Sequence, residues 1–168
     1  MMARAHPHLA LRPFLPADVP MLAEIFRASI EELTADDYSE SQREAWAAMA
    51  EDEAAFGARL AKALTLLGTI DGSPVGFAAL EGPERVAMLY VNPAAAGHGV
   101  GSMLIDALEK LAASRGAPRL TADVSDSAED FFKRRGFVPQ QRNTVPLGDE
   151  WLANTTMEKK LAAKERTP

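Results

Sequence analysis

Three alternating glycines, Gly97, Gly99 and Gly101, stand between an apolar run and a helical pattern. The apolar run, Met88–Val91, has the composition of a buried strand, and the Asn-Pro pair after it ends the strand because proline cannot donate to a strand ladder. Glycines in such a turn let backbone N–H groups approach an anion, and the N-terminus of the next helix adds unpaired N–H donors. We predict a phosphate-binding turn here; the alternative is a tight turn without a ligand.

Two common phosphate-binding motifs do not fit this turn. A Walker loop requires Gly-Lys-Ser/Thr, whereas Gly101 is followed directly by Ser102. A dinucleotide fingerprint, G-x-G-x-x-G, requires a glycine at position 102 when it is counted from Gly97, and that position is serine. The spacing G-x-G-x-G therefore argues against a nucleotide-binding fold of either type.

The stretch Ala96–Gly101 resembles the acetyl-CoA-binding motif of the GCN5-related N-acetyltransferase (GNAT) family, Q/R-x-x-G-x-G/A, with alanine in place of the first Gln or Arg. The stretch Ser125–Phe137 resembles the family's next signature, in which a small polar residue, an alanine, an aromatic pair and Gly-Phe recur. The resemblance extends from Leu9 to about Leu161. The C-terminal Gln141–Leu161 is similar to a bacterial subgroup of these acetyltransferases whose acceptors are generally not established.

This resemblance implies acetyl-CoA as the donor substrate, bound without a metal. Its pantetheine is expected in a V-shaped opening between the strand that ends at Val91 and the strand Arg119–Ser125, and its pyrophosphate on the N–H groups of the glycine turn. The alternative for His98 is a solvated loop side chain, and for Ser125 an N-cap of the next helix. The predicted acetyl-CoA residues are Leu89, Tyr90, Val91, Gly97, His98, Gly99, Val100, Gly101, Ser102, Ser125, Ala128, Phe131 and Phe132.

An amine that attacks a thioester must first lose a proton. A lysine-like amine is neutral only about once in 2,500 molecules at pH 7, so the site needs a carboxylate or a held water as base. The strand Arg85–Val91 carries no carboxylate, whereas Asp123 stands on the neighbouring strand. We predict Asp123 as the base and Tyr90 as a catalytic group that orients a water or the acceptor. The alternatives are an ion-paired surface carboxylate and a packed strand aromatic, respectively.

The departing thiolate lacks its usual proton donor. In many relatives a tyrosine serves in the pattern F-Y-x-x-x-G-F, but here Phe131 is followed by Phe132. Either another residue protonates CoA, or the thiolate leaves unaided, as a thiol pKa of about 8.5 allows near neutral pH. A backbone N–H at the end of the strand Met88–Val91 is expected to stabilise the oxyanion.

The region between the first two strands varies in the resembled family and shapes its acceptor site. Tyr38 and Trp46 fall in this region and are predicted to bind the acceptor. Asp36 and Asp37 are candidates to attract a cationic amine. The alternatives are a core position for Trp46 and a solvated turn for the two aspartates.

The composition indicates a soluble globular protein. The chain has 168 residues, of which 47% are hydrophobic and 25% charged. It has no apolar run near the roughly 18 residues of a membrane span and no apolar core in its N-terminal stretch. The absence of cysteine suits the cytoplasm, and the net charge of −6 argues against nucleic acid as the main partner. We expect a cytoplasmic monomer or homodimer without a membrane partner.

Hydrophobic periodicity predicts the order β, helices, β-β-β, α, β, α, β-β. We expect an α/β (α+β) GNAT fold: a mixed, mainly antiparallel sheet of six to seven strands with helices on both faces. A single domain is expected over residues 9–161, with flexible tails at 1–8 and 162–168. The last two strands, Phe137–Arg142 and Ala153–Lys159, are expected to flank a loop over Asn143–Glu150.

These expectations describe an acyltransferase. It transfers an acetyl group from acetyl-CoA to the primary amine of an acceptor, a small molecule or a peptide, by direct attack. A non-catalytic acyl-CoA-binding or regulatory domain is the alternative, which the phenylalanine at position 132 and the missing strand carboxylate favour.

Overall fold

Seven strands form one sheet in the computed structural model, which describes residues 8–162. The strands are β1 (Leu9–Pro13), β2 (Leu64–Ile70), β3 (Ser73–Glu81), β4 (Arg85–Val91), β5 (Arg119–Ser125), β6 (Val138–Leu147) and β7 (Glu150–Lys160). The helices are α1 (Val19–Leu33), α2 (Glu40–Ala47), α3 (Glu53–Lys62), α4 (Val100–Ser114) and α5 (Glu129–Arg134). The strand order is β1-β2-β3-β4-β5-β7-β6. The predicted tails, 1–8 and 162–168, lie almost wholly outside the described residues.

The sheet separates two apolar cores, so the prediction of helices on both faces is confirmed. On one face α4 and α5 pack through buried residues such as Leu104, Leu108 and Phe132. On the other face α1 and α3 cover the sheet, with Phe26 and Phe77 buried between them. Leu104 and Leu108 stand four residues apart, the spacing that places side chains on one helix face. None of the helices within residues 8–162 is long and apolar enough to span a membrane.

The sheet opens between β4 and β5. These strands are the parallel pair in a sheet whose other neighbours are antiparallel. Their register contains only two pairs, Arg85 with Thr121 and Val86 with Ala122. Beyond these pairs the strands diverge, which confirms the V-shaped opening that the family resemblance implied.

A β-bulge explains why β4 leaves its neighbour at this point. The register with β3 pairs Leu80 with Val86 but Ala79 with Met88, so Ala87 is the extra residue. A bulge bends its strand and increases the local twist. The bend turns the second half of β4 away from β5.

The prediction of a loop over Asn143–Glu150 is wrong. Strands β6 and β7 continue through this stretch and meet at a two-residue turn, Gly148 and Asp149. Gly148 has a φ of 58°, a left-handed conformation typical of tight hairpin turns. The polar sequence around Pro146 does not have the pattern of a strand. It forms one because β6 is an exposed edge strand, and such edges tolerate proline and polar side chains.

Two glycines let α4 lie directly on the sheet. Gly68 and Gly76 are register partners on β2 and β3. A Cβ added to either one would stand 2.9 or 3.0 Å from a methyl group of Val100, in the first turn of α4. This close contact fixes the start of the helix over the sheet, and therefore fixes the glycine turn that precedes it.

We expect Gly76→Ala to lower the free energy of unfolding by about 1–3 kcal/mol, because the new Cβ would also meet the Tyr90 carbonyl oxygen at 3.0 Å. The matched control is Gly101→Ala, whose Cβ would meet Phe131 at an ordinary 3.5 Å inside a helix. Alanine is favoured over glycine there by roughly 0.5–1 kcal/mol. Urea unfolding midpoints measure both changes, and equal midpoints for the two variants would contradict the close-packing argument.

Candidate functional site

The glycine turn between β4 and α4 has the shape of an anion cradle. The Asn92 side chain accepts a hydrogen bond from the Ala94 N–H at 3.0 Å and starts a short 3-10 turn. Gly97 and Gly99 follow with φ values of 81° and 83°, in the left-handed region that favours glycine. Nothing lies within 4 Å of a Cβ position at Gly97, and only the Leu9 side chain lies at 4.0 Å from that of Gly99. The turn therefore leaves open space above its backbone.

The first N–H groups of α4 complete this cradle. The helix begins after Gly99, and its first backbone hydrogen bond runs from the Met103 N–H to the Gly99 carbonyl oxygen at 3.0 Å. The N–H groups of Val100, Gly101 and Ser102 precede that bond, so the helix leaves them without an internal partner. They stand at the positive end of the helix dipole, where an anion is stabilised.

Two side chains of the turn are engaged within the protein. The His98 ring places Nδ1 3.1 Å from the Ala95 carbonyl oxygen and 3.2 Å from that of Ala96. The Val100 side chain is buried in the core. A ligand on this turn would meet these two residues through their backbone atoms, and their assignment to acetyl-CoA stays a prediction.

A cleft of about 270 Å³ fills the opening between β4 and β5; we call it the β4–β5 cleft. It reaches the glycine turn at Gly101, and its far side is closed by the C-terminal half of α1. Eight of the predicted acetyl-CoA residues line it: Leu89, Tyr90, Val91, Gly101, Ser125, Ala128, Phe131 and Phe132.

The edge of β4 that faces this cleft carries unpaired backbone groups. The Asn92 N–H donates to the Val75 carbonyl oxygen on β3 at 2.7 Å. Backbone groups alternate in direction along a strand, so the groups of Tyr90 also face β3 and those of Leu89 and Val91 face the cleft. These two residues offer an extended ligand the hydrogen bonds of a strand edge.

A second cavity, of about 210 Å³, adjoins the first; we call it the side cavity. Its walls come from α1, α2, α3, the centre of the sheet and the β6–β7 hairpin. Both predicted acceptor residues, Tyr38 and Trp46, line it. Trp46, Tyr90, Asp123 and Ser125 line the cleft and the side cavity alike, so the two spaces meet at these residues.

Tyr90 is held at this meeting point by aromatic neighbours. Its ring centroid lies 4.6 Å from that of Phe26 and 6.4 Å from that of Trp46, and the Trp46 indole N–H donates to the Tyr90 hydroxyl oxygen at 3.3 Å. Burial raises the pKa of Tyr90 to about 12, although the Trp46 hydrogen bond and the positive charge of Arg59 act in the opposite direction. Tyr90 is therefore a neutral phenol at physiological pH. Its O–H has no acceptor among residues 8–162.

Asp123 lies in the walls of both cavities and is also ion-paired. Its carboxylate accepts a hydrogen bond from the Thr156 hydroxyl at 2.7 Å and stands 3.5 Å from the Arg85 guanidinium. The side chain is 44% exposed, so a ligand or a water can reach it. Asp123 is thus ion-paired, as the alternative expected, and it also lines the cleft; its role as the base stays a prediction.

Tyr38 and Asp37 connect the turn after α1 to the loop after β5. The Tyr38 hydroxyl donates to the Ala153 carbonyl oxygen at 2.5 Å and accepts from the Asp126 N–H at 3.0 Å. The Asp37 carboxylate accepts from the Ser127 hydroxyl at 2.7 Å. Burial raises the pKa of Tyr38. The Asp37 carboxylate is thus engaged in a hydrogen bond within the protein. Neither Asp37 nor Asp36 is among the residues that line the two cavities.

Arg59 is a residue of the side cavity that sequence reasoning missed. Its Nε donates to the Glu81 carboxylate at 3.0 Å, and the residue lines the side cavity. A signal was present, because Arg59 borders the apolar face of α3 that Phe56 and Leu60 form. A charged side chain beside an apolar stripe is a candidate for a functional role.

The sequence of this chain is similar to those of known acetyltransferases. A family model described as an acetyltransferase (GNAT) domain matches residues 34–161. The uncharacterized N-acetyltransferase YafP of Escherichia coli K12 is 31% identical over 154 residues, which cover 91% of this chain and 97% of YafP.

Solved structures of N-acetyltransferases are also similar to this chain. A crystal structure of a GCN5-related N-acetyltransferase (aminotransferase, class-II) from Rhodopseudomonas palustris is 60% identical and covers 96% of this chain and 99% of its own, with a TM-score of 0.90. The PaiA N-acetyltransferase of Thermoplasma acidophilum, in complex with coenzyme A, is 21% identical, covers 91% of this chain and 99% of its own, and has a TM-score of 0.75.

We expect the tyrosinate absorbance of the native protein to develop only above about pH 10, and the Tyr90 step near pH 12, because both tyrosines of the chain have raised pKa values. The folded state holds both phenol protons more tightly than the unfolded state. The stability that they contribute is therefore complete below pH 10 and is lost as the pH rises toward 12.

Ultraviolet titration of the native and the urea-unfolded protein measures the difference. Tyr90→Phe is the control, because it leaves only the Tyr38 step. A native ionisation below the unfolded one would show that these hydroxyls are not buried as described.

Proposed function

The chain belongs to the GNAT acetyltransferase family, and we propose that it transfers an acetyl group from acetyl-CoA to a primary amine by direct attack. One observation carries this proposal: the β4–β5 cleft and the side cavity meet at Tyr90 and Asp123. A donor in the cleft and an acceptor in the side cavity would be in contact there. We place the activity in the bacterial cytoplasm, in keeping with the bacterial relatives and a chain without cysteine.

The donor side fits acetyl-CoA through backbone groups. The open space above Gly97 and Gly99 and the free N–H groups at the start of α4 suit the diphosphate. The unpaired edge at Leu89 and Val91 suits the amides of pantetheine, as an added strand would. When bound, acetyl-CoA supplies a thioester whose carbonyl carbon accepts the amine.

The acceptor side supplies the base. Asp123 removes the ammonium proton, directly or through a water, and the Thr156 hydroxyl and the Arg85 guanidinium hold its carboxylate in place. The Tyr90 O–H is a free hydrogen-bond donor at the same point. The backbone N–H groups that face the cleft are donors to an oxygen on which negative charge develops.

The departing thiolate leaves without a phenol as acid. Phe132, in the position of the usual tyrosine, is buried against Phe131 and Phe137. Tyr90 is no substitute, because burial raises its pKa to about 12 and it releases its proton less readily than an ordinary tyrosine, whose pKa is about 10. We therefore assign unaided departure, with later protonation by water.

A charge placed in the glycine turn should remove donor binding. Gly99→Glu and Gly99→Gln strain the left-handed backbone equally and differ in charge alone. We expect the Kd for acetyl-CoA to be at least tenfold higher for the Glu variant, because its carboxylate would stand beside the diphosphate. Thermal melts with acetyl-CoA, and with NAD and ATP as controls, measure this, since a ligand at 100 times its Kd stabilises by about 2.7 kcal/mol. Equal affinities of the two variants for acetyl-CoA would show that the diphosphate does not bind at this turn.

Asp123→Asn should lower kcat by roughly 10²–10⁴-fold while acetyl-CoA binding is kept, because the amide cannot take a proton but can still accept the Thr156 hydrogen bond. The assay is amine-dependent release of free CoA. Asp130→Asn, at an exposed position of α5, is the matched control and should keep full activity. Acetyl-CoA binding without release of CoA by any amine would favour the non-catalytic alternative.

A further inference from the structure

Arg59 lines the side cavity and carries hydrogen-bond donors that no described residue uses. Its Nε is bound to Glu81, and its two Nη groups have no partner within residues 8–162. The side chain is 37% exposed and lines both the side cavity and a neighbouring space of about 220 Å³, which we call the inner cavity. The free edge of a guanidinium binds carboxylates with two parallel hydrogen bonds.

A chain of ion pairs connects this guanidinium to the proposed base. Arg59 lies 3.0 Å from Glu81, Glu81 lies 3.8 Å from Arg85, and Arg85 lies 3.5 Å from Asp123. The two positive and two negative charges cancel. Tyr90, which lines the side cavity together with Arg59 and Asp123, is neutral because burial raises its pKa.

This balance favours an acceptor that carries both charges. An ammonium group near Asp123 and a carboxylate on Arg59 would leave the cavity neutral, and each charge would face its opposite. A polyamine would instead bring uncompensated positive charge toward Arg59 and Arg85. The two charged groups in the cavity wall, Arg59 and Asp123, therefore distinguish amino acids from simple amines.

The cavity is small, and apolar side chains form a large part of its wall beside polar ones such as Asn154. Phe26, Met49 and Met88 line both the side cavity and the inner cavity, and Phe56 lines the inner cavity. The β6–β7 hairpin closes the opposite side with Val145, Pro146 and Leu147. A volume of about 210 Å³ lies below the roughly 300–1,000 Å³ of drug-sized sites, so it suits a compact molecule.

We infer that the acceptor is a small amino acid with an apolar or aromatic body, whose carboxylate binds the Nη groups of Arg59 while its amine faces Asp123. The inference rests on the proposed N-acetyltransferase function and adds the class of acceptor. Arg59 is then the residue that selects acceptors with a carboxylate.

Matched acceptors test this directly. L-Phenylalanine, L-leucine and para-aminomethylbenzoate are each compared with their carboxamides and with phenethylamine, isoamylamine and benzylamine, in an assay of CoA release. Putrescine and a lysine-containing peptide complete the panel. We expect wild-type kcat/KM to be at least tenfold higher for an acid than for its amide, mainly through a lower KM.

Substitutions assign the preference to Arg59. In Arg59→Gln the acid-to-amide ratio should fall to about one, and in Arg59→Lys, which keeps the charge without the fork, it should fall to an intermediate value. Arg115→Gln, exposed at the end of α4, is the matched control and should keep the wild-type ratio. Melts with acetyl-CoA verify that each variant is folded and binds the donor.

The outcomes separate this inference from the function on which it rests. Turnover of amides, putrescine or the peptide at or above the rate of the acids would overturn the amino-acid acceptor and leave the transferase in place. An acid preference that persists in Arg59→Gln would overturn the role of Arg59. Binding of acetyl-CoA with no turnover of any amine would overturn the proposed function and this inference together.

Discussion

Parallel pairing between β4 and β5 ends after Val86, and this break in the sheet decides where every other part of the site must lie. An unpaired strand edge exposes N–H and C=O groups, which cost free energy when they are buried without partners. Here those groups, at Leu89 and Val91, border an open cleft, where a ligand with amides of its own can pair with them. The cause is one extra residue, Ala87, because the bulge that it forms bends β4 away from its neighbour. Binding capacity thus follows from a local irregularity of an otherwise regular sheet.

A split sheet needs other contacts to hold its two halves at a constant separation. The first half carries α4, which the glycines at 68 and 76 bring close to the strands. Across the cleft, the Tyr38 hydroxyl satisfies the Asp126 N–H and the Ala153 carbonyl at the same time. Loss of that hydroxyl would leave two backbone groups without their partner, which is more costly than the hydrogen bonds themselves. Tyr38 therefore fixes the width of the site as well as lining it.

Sequence predicted the parts of this molecule that depend on local signals. The GNAT resemblance and the mainly antiparallel sheet are confirmed, because glycine spacing, strand composition and short turns act within a few residues. Both last strands were predicted, but their continuation through Asn143–Glu150 was missed, since an exposed edge strand has no apolar alternation to reveal it. Arg59 was missed for a different reason: its importance comes from a cavity whose other walls are remote in the chain. The roles predicted for Asp123 and Tyr90 remain predictions, although the structure brings both residues to the same point.

The proposed donor site and the side cavity differ in the atoms that they offer to a ligand. This difference explains why membership of the family indicates the donor and does not indicate the acceptor. The proposed donor site relies on backbone N–H and C=O groups, so we expect it in any sequence that keeps the glycine turn and the open strand edge. The side cavity instead relies on side chains such as Phe26, Arg59 and Val145, which only tertiary structure brings together. A single substitution in that wall can change the acceptor and leave the donor site intact. The acceptor of each member therefore has to be derived from the charges and shape of its own cavity; here the wall contains a guanidinium with free donors and a carboxylate.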